Sequence, residues 1–379
     1  MSQLNKKNIA LIGTSATAAI RFRGDFIKYL INDGHTVFVW CHDFTDETKN
    51  VIKSLGAVPV DSPLSRSNSN PLNDITAVFQ MVKLIKAQKI NCVLSYFIKP
   101  VVFGTLAARL AGIKNCYAMI EGLGWAFSQS PPGEKTGGHI LKLIQITLMF
   151  IALPFAKTVI FLNEDDQNCL IRRYYIPIRN SKILGAIGAP TQFFHASPVP
   201  TNPIRFIFVA RLLFDKGIRE FMAAAEIVKQ KYPGVSFDIY GAIDPENPRS
   251  LNEDDVEAFR KKGFVNFHGY QSDIGSIYQS GSCLILPSYR EGFPRTVQEI
   301  MAMGRPAIVT DVPGCRQSVI DGQTGFIVPV FDVQTLADKI EILINNPDLL
   351  KTMGENAHLY AQKYYDGEIL AKKLAAMIL

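Results

Sequence analysis

The sequence has little of what metal-dependent or redox proteins usually carry. Its six cysteines are scattered with no Cys-x-x-Cys pair, so neither a zinc site nor a disulfide framework is indicated and a reducing cytosol is expected. No Asp-x-Asp occurs, no Gly-x-Gly-x-x-Gly follows the first apolar run, and no Gly-x-x-x-x-Gly-Lys-Ser/Thr is present. Dinucleotide redox chemistry and P-loop phosphate chemistry therefore lack their markers, and neither a metal nor a cofactor is expected.

A long hydrophobic run is also missing. The most apolar stretch, residues 140–156, has no charge between Lys142 and Lys157, and this interval is shorter than the roughly 20 residues that span a bilayer. We expect a buried helix of a first domain here, and a helix lying in a membrane interface is the alternative. The apolar run at residues 8–13 is short for a signal peptide and predicts a first strand.

What is present is enough material for two domains, because the chain has 379 residues and 47% of them are hydrophobic. Residues 1–195 hold 21 Lys and Arg against 12 Asp and Glu, a net of +9. The remainder holds 19 against 22, a net of −3. The basic first half suggests an anionic partner, whether phosphate, diphosphate or an acidic membrane surface, although basic halves are also common on ordinary solvated surfaces.

Short apolar runs alternate with helical patterns along the chain. Strands are predicted at residues 8–13, 36–40, 92–97, 116–122, 158–163, 205–210, 237–241, 266–269, 283–287 and 306–311. Helices are predicted at residues 24–34, 74–89 and 102–112 in the first half. This alternation predicts an α/β fold of two Rossmann-like, doubly wound parallel-sheet domains. They are expected at residues 1–195 and 196–360, with a last helix at 361–379 packing back on the first domain.

The segment Glu-Gly-Phe-Pro-Arg-Thr-Val-Gln-Glu, residues 291–299, places two glutamates eight positions apart. Its surroundings predict a strand, a loop and a short helix, with Pro294 in the first helical turn. Glu291 then lies at the carboxyl end of a strand, the edge where ligands bind in open α/β sheets. Glu299 lies about one turn into the helix, where a carboxylate can accept hydrogen bonds from a ribose diol.

Two cations stand near the carboxyl end of an earlier strand. Arg211 and Lys216 lie five residues apart in a turn that follows residues 205–210. Arginine offers a planar fork for two oxygens and lysine a mobile point charge, so the pair suits a diphosphate. The helix start near Pro294 would add backbone N–H groups and the positive end of its dipole. Taken alone, the two cations are as easily solvated surface charges.

Residues 286–332 closely resemble the donor-binding region of the large family of retaining glycosyltransferases that carry two glutamates separated by seven residues, and residues 209–217 resemble its diphosphate-binding loop. The resemblance implies the glycosyltransferase-B fold, in which two Rossmann-like domains face a cleft. It assigns Arg211 and Lys216 to the donor diphosphate, Glu299 to the ribose and Glu291 to the donor sugar. The predicted donor-binding residues are Gly13, Arg211, Lys216, Glu291, Gly292, Phe293, Pro294, Arg295, Thr296 and Glu299.

The first domain is expected to hold the acceptor. Its first loop, residues 13–26, carries Arg21 and Arg23, which suit an acceptor phosphate or else are a solvated helix start. Residues 121–124, Glu-Gly-Leu-Gly, resemble a subgroup that adds an N-acetylhexosamine to a sugar on undecaprenyl diphosphate; its members also share an early His-Phe-Arg, which here reads Arg-Phe-Arg. The predicted acceptor-binding residues are Arg21, Arg23, Glu121 and Gly122.

Together these features predict a metal-independent hexosyltransferase that retains the anomeric configuration. Its predicted catalytic residues are Glu121, Arg211, Lys216 and Glu291. We expect it to move a hexose or N-acetylhexosamine, foremost N-acetylgalactosamine, from a UDP-sugar to a lipid-diphosphate-linked sugar in bacterial surface or glycoprotein glycan assembly. Peripheral contact of the basic first domain with the anionic inner face of the cytoplasmic membrane is expected, and no nucleic acid is an expected partner.

Other interpretations stay open. Transfer of glucose, galactose or mannose in capsule or lipopolysaccharide synthesis would use the same residues. A phosphorylase would need pyridoxal phosphate on a lysine, and a nonhydrolysing sugar-nucleotide epimerase would share the fold. A non-catalytic subunit of a glycan assembly complex is the alternative from another class, although it would not need both glutamates, the arginine and the lysine.

Overall fold

The structure is a computed structural model that describes residues 6–65, 71–133, 138–189 and 194–379. The chain divides into two compact units. Unit 1 consists of the described residues of Met1–Ala126, Gly138–Gly188 and Gly367–Leu379, and unit 2 of those of Phe127–Gly137 and Ala189–Asp366. The chain therefore enters unit 2 twice, once in a short segment after Ala126 and again after Gly188.

Unit 1 is built on a parallel sheet. Its strands in the described part of the chain are β1 (Asn8–Ile12), β2 (Thr36–Cys41), β3 (Val58–Asp61), β4 (Cys92–Tyr96), β5 (Asn115–Ile120), β6 (Thr158–Phe161) and β7 (Ser181–Ile183). Their order is β3-β2-β1-β4-β5-β6-β7, and each neighbouring pair is parallel. The order reverses between β1 and β4, and ligands bind at the carboxyl ends of strands at such a point.

The helices of unit 1 form two layers. They are α1 (Ala16–Asn32), α2 (Asp46–Ser54), α3 (Pro71–Ala87), α4 (Ile98–Leu110), α5 (His139–Ala152), α6 (Glu164–Asn168) and, at the carboxyl terminus, α13 (Gly367–Ile378). One layer contains α1 packed on α2 and α13, and the other contains α4 packed on α3 and α5. The last helix of the chain thus belongs to unit 1.

Helix α1 begins eight residues before the helix predicted at residue 24. Ser15 caps it, because its side chain accepts a hydrogen bond from the N–H of Ala18. The alanines that follow are strong helix formers and extend the helix toward the amino terminus. The predicted loop at residues 13–26 is therefore wrong, and Arg21 and Arg23 are helical.

Unit 2 repeats the design. Its strands are β8 (Arg205–Val209), β9 (Ser236–Tyr240), β10 (Asn266–Gly269), β11 (Cys283–Leu286), β12 (Ala307–Thr310) and β13 (Gly325–Val328). Its helices are α7 (Ile218–Lys231), α8 (Glu253–Lys261), α9 (Ile274–Ser280), α10 (Arg295–Ala302), α11 (Val333–Asn345) and α12 (Pro347–Tyr364). The strand order is β10-β9-β8-β11-β12-β13 with parallel pairs, so the reversal lies between β8 and β11. Two doubly wound parallel sheets confirm the predicted fold class.

The apolar stretch at residues 140–156 contradicts its prediction as a buried helix. Met149 and Ala152 of α5 are buried, but Ile140, Leu143 and Ile144 are exposed, Ile140 to 78%. Apolar periodicity cannot tell a helix that is buried on one side from one that is covered on both, so the sequence overestimates burial here. None of the helices in the described part of the chain is both long and apolar enough to cross a membrane.

Candidate functional site

The turn after β8 is fixed to the loop after β11. A short 3-10 turn spans Phe214–Lys216, and Gly217 ends it with φ +76° at the start of α7. A Cβ at Gly217 would lie 2.0 Å from the carbonyl oxygen of Pro287, so only glycine allows this approach. The N–H of Tyr289 also donates to the carbonyl of Asp215 at 2.9 Å. Two loops that are far apart in sequence therefore meet at the point where the strand order reverses.

Lys216 and Glu291 come together at this meeting point. The Nζ of Lys216 is ion-paired with the Oε1 of Glu291, and the Oγ of Ser288 donates to the same oxygen at 2.9 Å. The N–H of Glu291 donates to the carbonyl of Pro313 at 3.0 Å, which fixes the backbone. Lys216 is 21% exposed and Glu291 12%, so the pair is well held and still reachable.

Arg211 has a different partner. Its Nη1 is ion-paired with the Oδ2 of Asp244, a residue in the loop after β9. The arginine side chain is half-exposed whereas Asp244 is largely buried, so the carboxylate anchors a guanidinium that still faces solvent. The sequence reasoning missed Asp244, although a carboxylate a few residues after a predicted strand was a usable signal.

A cavity of about 700 Å³ opens at the carboxyl ends of β9 and β10, and Leu212, the residue after Arg211, is part of its lining. Its walls include the apolar side chains Leu212, Ile243, Leu251, Phe267 and Tyr270. Backbone groups of Gly241 and Gly269 also line it. Its volume lies within the range of small-molecule sites, and an apolar wall beside a cation suits a flat ring that carries a phosphate.

Helix α10 follows the loop that carries Glu291. It begins at Arg295, and Pro294 is the residue before it, with extended backbone and no side-chain cap. The predicted place of Pro294 inside the first turn is thus off by one residue. The positive end of the α10 dipole therefore lies at the end of the loop that carries Glu291, and a helix start of this kind favours a bound anion. Thr296 is half-buried in the first turn.

Glu299 is buried and oriented from two sides. Its Oε1 accepts a hydrogen bond from the Nε of Arg295 at 2.6 Å, and its Oε2 accepts one from the Oη of Tyr278 at 2.9 Å. Tyr278, in α9, was missed by the sequence reasoning.

The three residues that follow Glu291 are buried. Phe293 is 9% exposed, and its ring packs edge-on against Tyr365 with centroids 5.7 Å apart. Gly292 and Pro294 are buried beside it. The Phe293 side chain therefore holds the loop in place by packing.

A buried contact between Tyr289 and Glu220 links the same loop to α7. The Oη of Tyr289 lies 2.9 and 3.0 Å from the two carboxylate oxygens of Glu220, and both side chains are buried. Burial raises the pKa of Tyr289, and the negative charge of Glu220 raises it further, so the hydroxyl keeps its proton and donates. A glutamate on the buried face of α7 was the sequence signal that could have revealed this contact.

In unit 1 the predicted residues lie at the carboxyl edge of β1, β4 and β5. Arg23 of α1 is buried and ion-paired with Glu121, which directly follows β5. The guanidinium also lies over the ring of Tyr96, 5.0 Å from its centroid. A Cβ at Gly13 would lie 2.4 Å from that ring, so the glycine makes room for Tyr96.

The expectation that the two arginines act together is not met by the geometry. Arg21 is exposed, whereas Arg23 is 2% exposed. The alternative prediction that both arginines are solvated therefore fits Arg21 and is wrong for Arg23. Gly122, with φ +118°, follows Glu121 and turns the chain away from β5.

Comparison with known proteins identifies the family. A model of the group 1 glycosyl transferases matches residues 191–360, and a model of glycosyl transferase 4-like proteins matches residues 9–162. The chain belongs to this glycosyltransferase family. The predicted resemblance to a glycosyltransferase family is thereby confirmed over most of the sequence.

Two sequence relatives and one solved structure illustrate the likeness. The glycosyltransferase is 27% identical to the N,N'-diacetylbacillosaminyl-diphospho-undecaprenol α-1,3-N-acetylgalactosaminyltransferase of Campylobacter jejuni, over 96% of each chain. It is 25% identical to the UDP-Gal:α-D-GlcNAc-diphosphoundecaprenol α-1,3-galactosyltransferase of Escherichia coli, over 76% of this chain and 75% of that one. HepE of Anabaena, solved in complex with UDP, superposes with a TM-score of 0.75 at 17% identity, covering 98% of this chain and 99% of that chain. This last likeness shows the glycosyltransferase-B fold.

Proposed function

We propose that this glycosyltransferase moves a hexosyl unit from a UDP-sugar to a sugar linked to undecaprenyl diphosphate, with retention of the anomeric configuration. The observation that carries the proposal is the ion pair of Lys216 with Glu291, in the loop that leads into α10, where the strand order of unit 2 reverses. The names of the two sequence relatives supply the substrate classes, since both act on a sugar linked to undecaprenyl diphosphate and one uses UDP-galactose.

In this proposal the donor diphosphate binds at Lys216 and Arg211. The carboxylates of Glu291 and Asp244 hold the two cations in place before the nucleotide arrives. When UDP departs, the negative charge on its β-phosphate grows, and two cations with a helix terminus stabilise it more than they stabilise the intact donor. They supply the charge compensation that a divalent ion would otherwise give, which supports a metal-independent reaction.

The proposed contacts with the ribose, the uracil ring and the sugar follow from the positions of Glu299, the apolar cavity and Glu291. Glu299, oriented by Arg295 and Tyr278, accepts hydrogen bonds from the ribose hydroxyls. The apolar cavity at the carboxyl ends of β9 and β10 receives the uracil ring. Glu291 and the backbone of residues 292–294 meet the hydroxyls of the sugar.

N-acetylgalactosamine is the sugar we propose first, because the relative in Campylobacter jejuni transfers it. Galactose is the alternative, because the relative in Escherichia coli transfers that sugar.

The chemical step breaks one C–O bond and forms another. The bond between the anomeric carbon and the diphosphate breaks, its electron pair stays on UDP, and the acceptor hydroxyl adds to the same face of the anomeric carbon. The hydroxyl proton passes to the departing diphosphate oxygen. Glu121, held by Arg23, orients the acceptor hydroxyl in unit 1. A lipid-linked acceptor also requires peripheral contact with the inner face of the membrane.

The test is transfer from a panel of radiolabelled UDP-sugars to undecaprenyl-diphosphate-linked sugars, with EDTA in parallel reactions. We expect transfer from UDP-N-acetylgalactosamine, an α-configured product by NMR, and an unchanged rate in EDTA. Lack of transfer from every UDP-sugar, or release of free sugar or an epimer without acceptor, would refute the proposed function. Loss of turnover in EDTA would refute metal independence.

A further inference from the structure

The outward face of α5 is apolar. Five large side chains recur along it at spacings of three, four and seven residues and are all exposed: Ile140, Leu143, Ile144, Phe150 and Ile151. Such spacing places them on one face of the helix, away from the buried Met149 and Ala152. An ordinary surface helix shows the opposite arrangement, with its polar face outward.

The outward face of α3 has the same character. Leu72, Ile75 and Phe79 follow the same spacing, and each is more than half-exposed. Helix α4 lies between α3 and α5 in one layer of unit 1, and Leu110 at its end is exposed too. The three helices therefore present a broad apolar surface, which we call the α3–α5 face. Apolar areas of this extent on a protein surface usually mark a binding site.

The hydroxyl groups on the α3–α5 face are satisfied within their own helices. Thr147 of α5 donates to the carbonyl of Leu143 at 2.9 Å. Thr76 of α3 donates to the carbonyl of Leu72 at 2.9 Å. A hydroxyl bonded to the carbonyl four residues earlier needs no water, so neither threonine would leave its donor unpaired in an apolar medium.

The stretch of chain that forms the α3–α5 face carries an excess of positive charge. Residues 71–157 contain nine Lys and Arg against three Asp and Glu, and their net of +6 equals that of the whole chain. Asp74 is ion-paired with Lys99 at 2.8 Å, and Glu121 is buried against Arg23. The exposed cations of these helices and of the turns that follow them are Lys83, Lys86, Lys89, Arg109, Lys114 and Lys157.

We propose that the α3–α5 face binds the surface of an anionic lipid bilayer. The apolar stripes would lie at the boundary between headgroups and acyl chains, and the lysines would contact lipid phosphates. Helix α5 is about 21 Å long at 1.5 Å per residue, which is too short to span the hydrocarbon core, so it lies along the surface. A protein partner would explain the apolar stripes, but a bilayer also explains the excess of cations. The inference rests on the proposed function in one respect: binding to the bilayer would bring the enzyme to its proposed lipid-linked acceptor.

Flotation of the full chain with vesicles tests the proposal without any substrate. We expect the protein to float with vesicles of phosphatidylethanolamine and phosphatidylglycerol, and far less with vesicles of phosphatidylcholine. Leu143→Gln with Ile144→Gln should weaken binding to the anionic vesicles at least about tenfold, since each buried aliphatic side chain contributes strongly to partitioning. Lys83→Gln with Lys86→Gln should weaken it about fivefold for each charge.

A matched control changes two equally exposed apolar side chains elsewhere. Leu359, in α12, is 63% exposed and Ile369, in α13, is 52% exposed, against 66% and 49% for Leu143 and Ile144. Leu359→Gln with Ile369→Gln should leave flotation unchanged. Thermal unfolding of all variants should match the unchanged protein, because the altered side chains are exposed.

Two results would overturn the proposal. One is an unchanged protein that does not float with anionic vesicles; the other is an α5 variant that floats as well as the control. Transfer to a short-chain, water-soluble acceptor separates this inference from the proposed function, because the α5 variant should keep that activity. Intact transfer without vesicle binding would refute only the membrane surface, and vesicle binding without any transfer would refute only the glycosyl transfer.

Discussion

Units 1 and 2 share a parallel-sheet design but pair their functional charges differently. In unit 2 the Lys216–Glu291 pair keeps contact with solvent, and so does the arginine of the Arg211–Asp244 pair. In unit 1 the Arg23–Glu121 pair is almost wholly buried, with side chains 2% and 5% exposed. A cation that faces solvent can exchange its protein partner for a diphosphate, whereas a buried one would leave its carboxylate unpaired. We therefore assign Arg23 to holding Glu121, not to binding an acceptor phosphate.

Their surfaces differ as well. Among the described residues, the large apolar side chains that unit 2 exposes are Tyr270, Leu359 and Tyr364, whereas the corresponding side chains of unit 1 concentrate on α3 and α5. The excess of basic residues also lies in the first half of the chain. One unit thus carries an ion-paired site suited to a soluble nucleotide, and the other a surface suited to a lipid phase.

The largest predicted effect is on the buried pair. Arg23→Met removes the guanidinium from Glu121 and should lower the free energy of unfolding by about 3–5 kcal/mol, the usual result when one partner of a buried ion pair is lost. Urea unfolding followed by circular dichroism measures it. Arg21→Met, two residues earlier on the exposed side, is the control and should change stability by no more than about 0.5 kcal/mol. Equal effects of both substitutions would contradict the contrast between the units.

The solvent-facing pair should matter for activity instead. Lys216→Ala removes the cation that we propose stabilises the departing UDP, so kcat should fall by about 10²- to 10³-fold while the unfolding temperature changes little. Lys231→Ala, which breaks an exposed pair with Glu341 in the same unit, is the matched control and should keep normal kcat. Near-normal turnover of the Lys216 variant would remove the basis for placing the diphosphate here.

A smaller effect is expected for the hydroxyl that supports the loop of Glu291. Tyr289→Phe deletes the donor to the buried Glu220 and should cost about 1–3 kcal/mol of unfolding free energy. Tyr232→Phe removes an exposed hydrogen bond to Asn345 and serves as control, with a much smaller change. If the two variants were equally stable, the Tyr289–Glu220 contact would not be what holds the loop.

Most strands predicted from sequence have a strong apolar pattern. The sequence did not predict β3, β7 and β13, and all three lie at the edge of a sheet. β3 and β7 are poorly covered, so they need few apolar residues and give a weak pattern, and β3 even contains a proline. Weak patterning does not explain β13, which is apolar and mostly buried, and the exposed edge strand β10 was predicted. Central strands such as β8 and β11 were predicted almost to the residue.

The contacts of the candidate site were also predicted only in part. The pairing of Lys216 with Glu291 joins the two loops that the family resemblance had marked. Contacts with Asp244, Tyr278 and Glu220 were missed, because each connects elements that are distant in sequence and no local spacing announces them. The exposure of α5 was missed for a related reason, since hydrophobicity alone does not say what covers a helix.

The smallest predicted effect is on the pH dependence of stability, through Asp215, the residue before Lys216. Burial raises the pKa of Asp215 above its ordinary value, against the opposing influence of Arg249 at 3.1 Å. The folded protein then keeps this proton to a higher pH than the unfolded chain does, so the stability that Asp215 contributes at acid pH is lost as pH rises through its folded-state pKa. Asp215→Asn should therefore gain stability relative to the unchanged protein as the pH rises across that window.

Asp273 gives the control of opposite sign in the same unit. Hydrogen bonds from the side chain and backbone of Ser276 lower the pKa of Asp273, so its contribution is present above the ordinary carboxyl pKa and is lost as pH falls. Asp273→Asn should accordingly lose stability relative to the unchanged protein as the pH rises. Unfolding curves of both variants over acid and neutral pH measure the two slopes. Slopes of the same sign would mean that burial does not dominate at Asp215, and that the turn carrying Lys216 is more open to water than its contacts with the loop of Glu291 indicate.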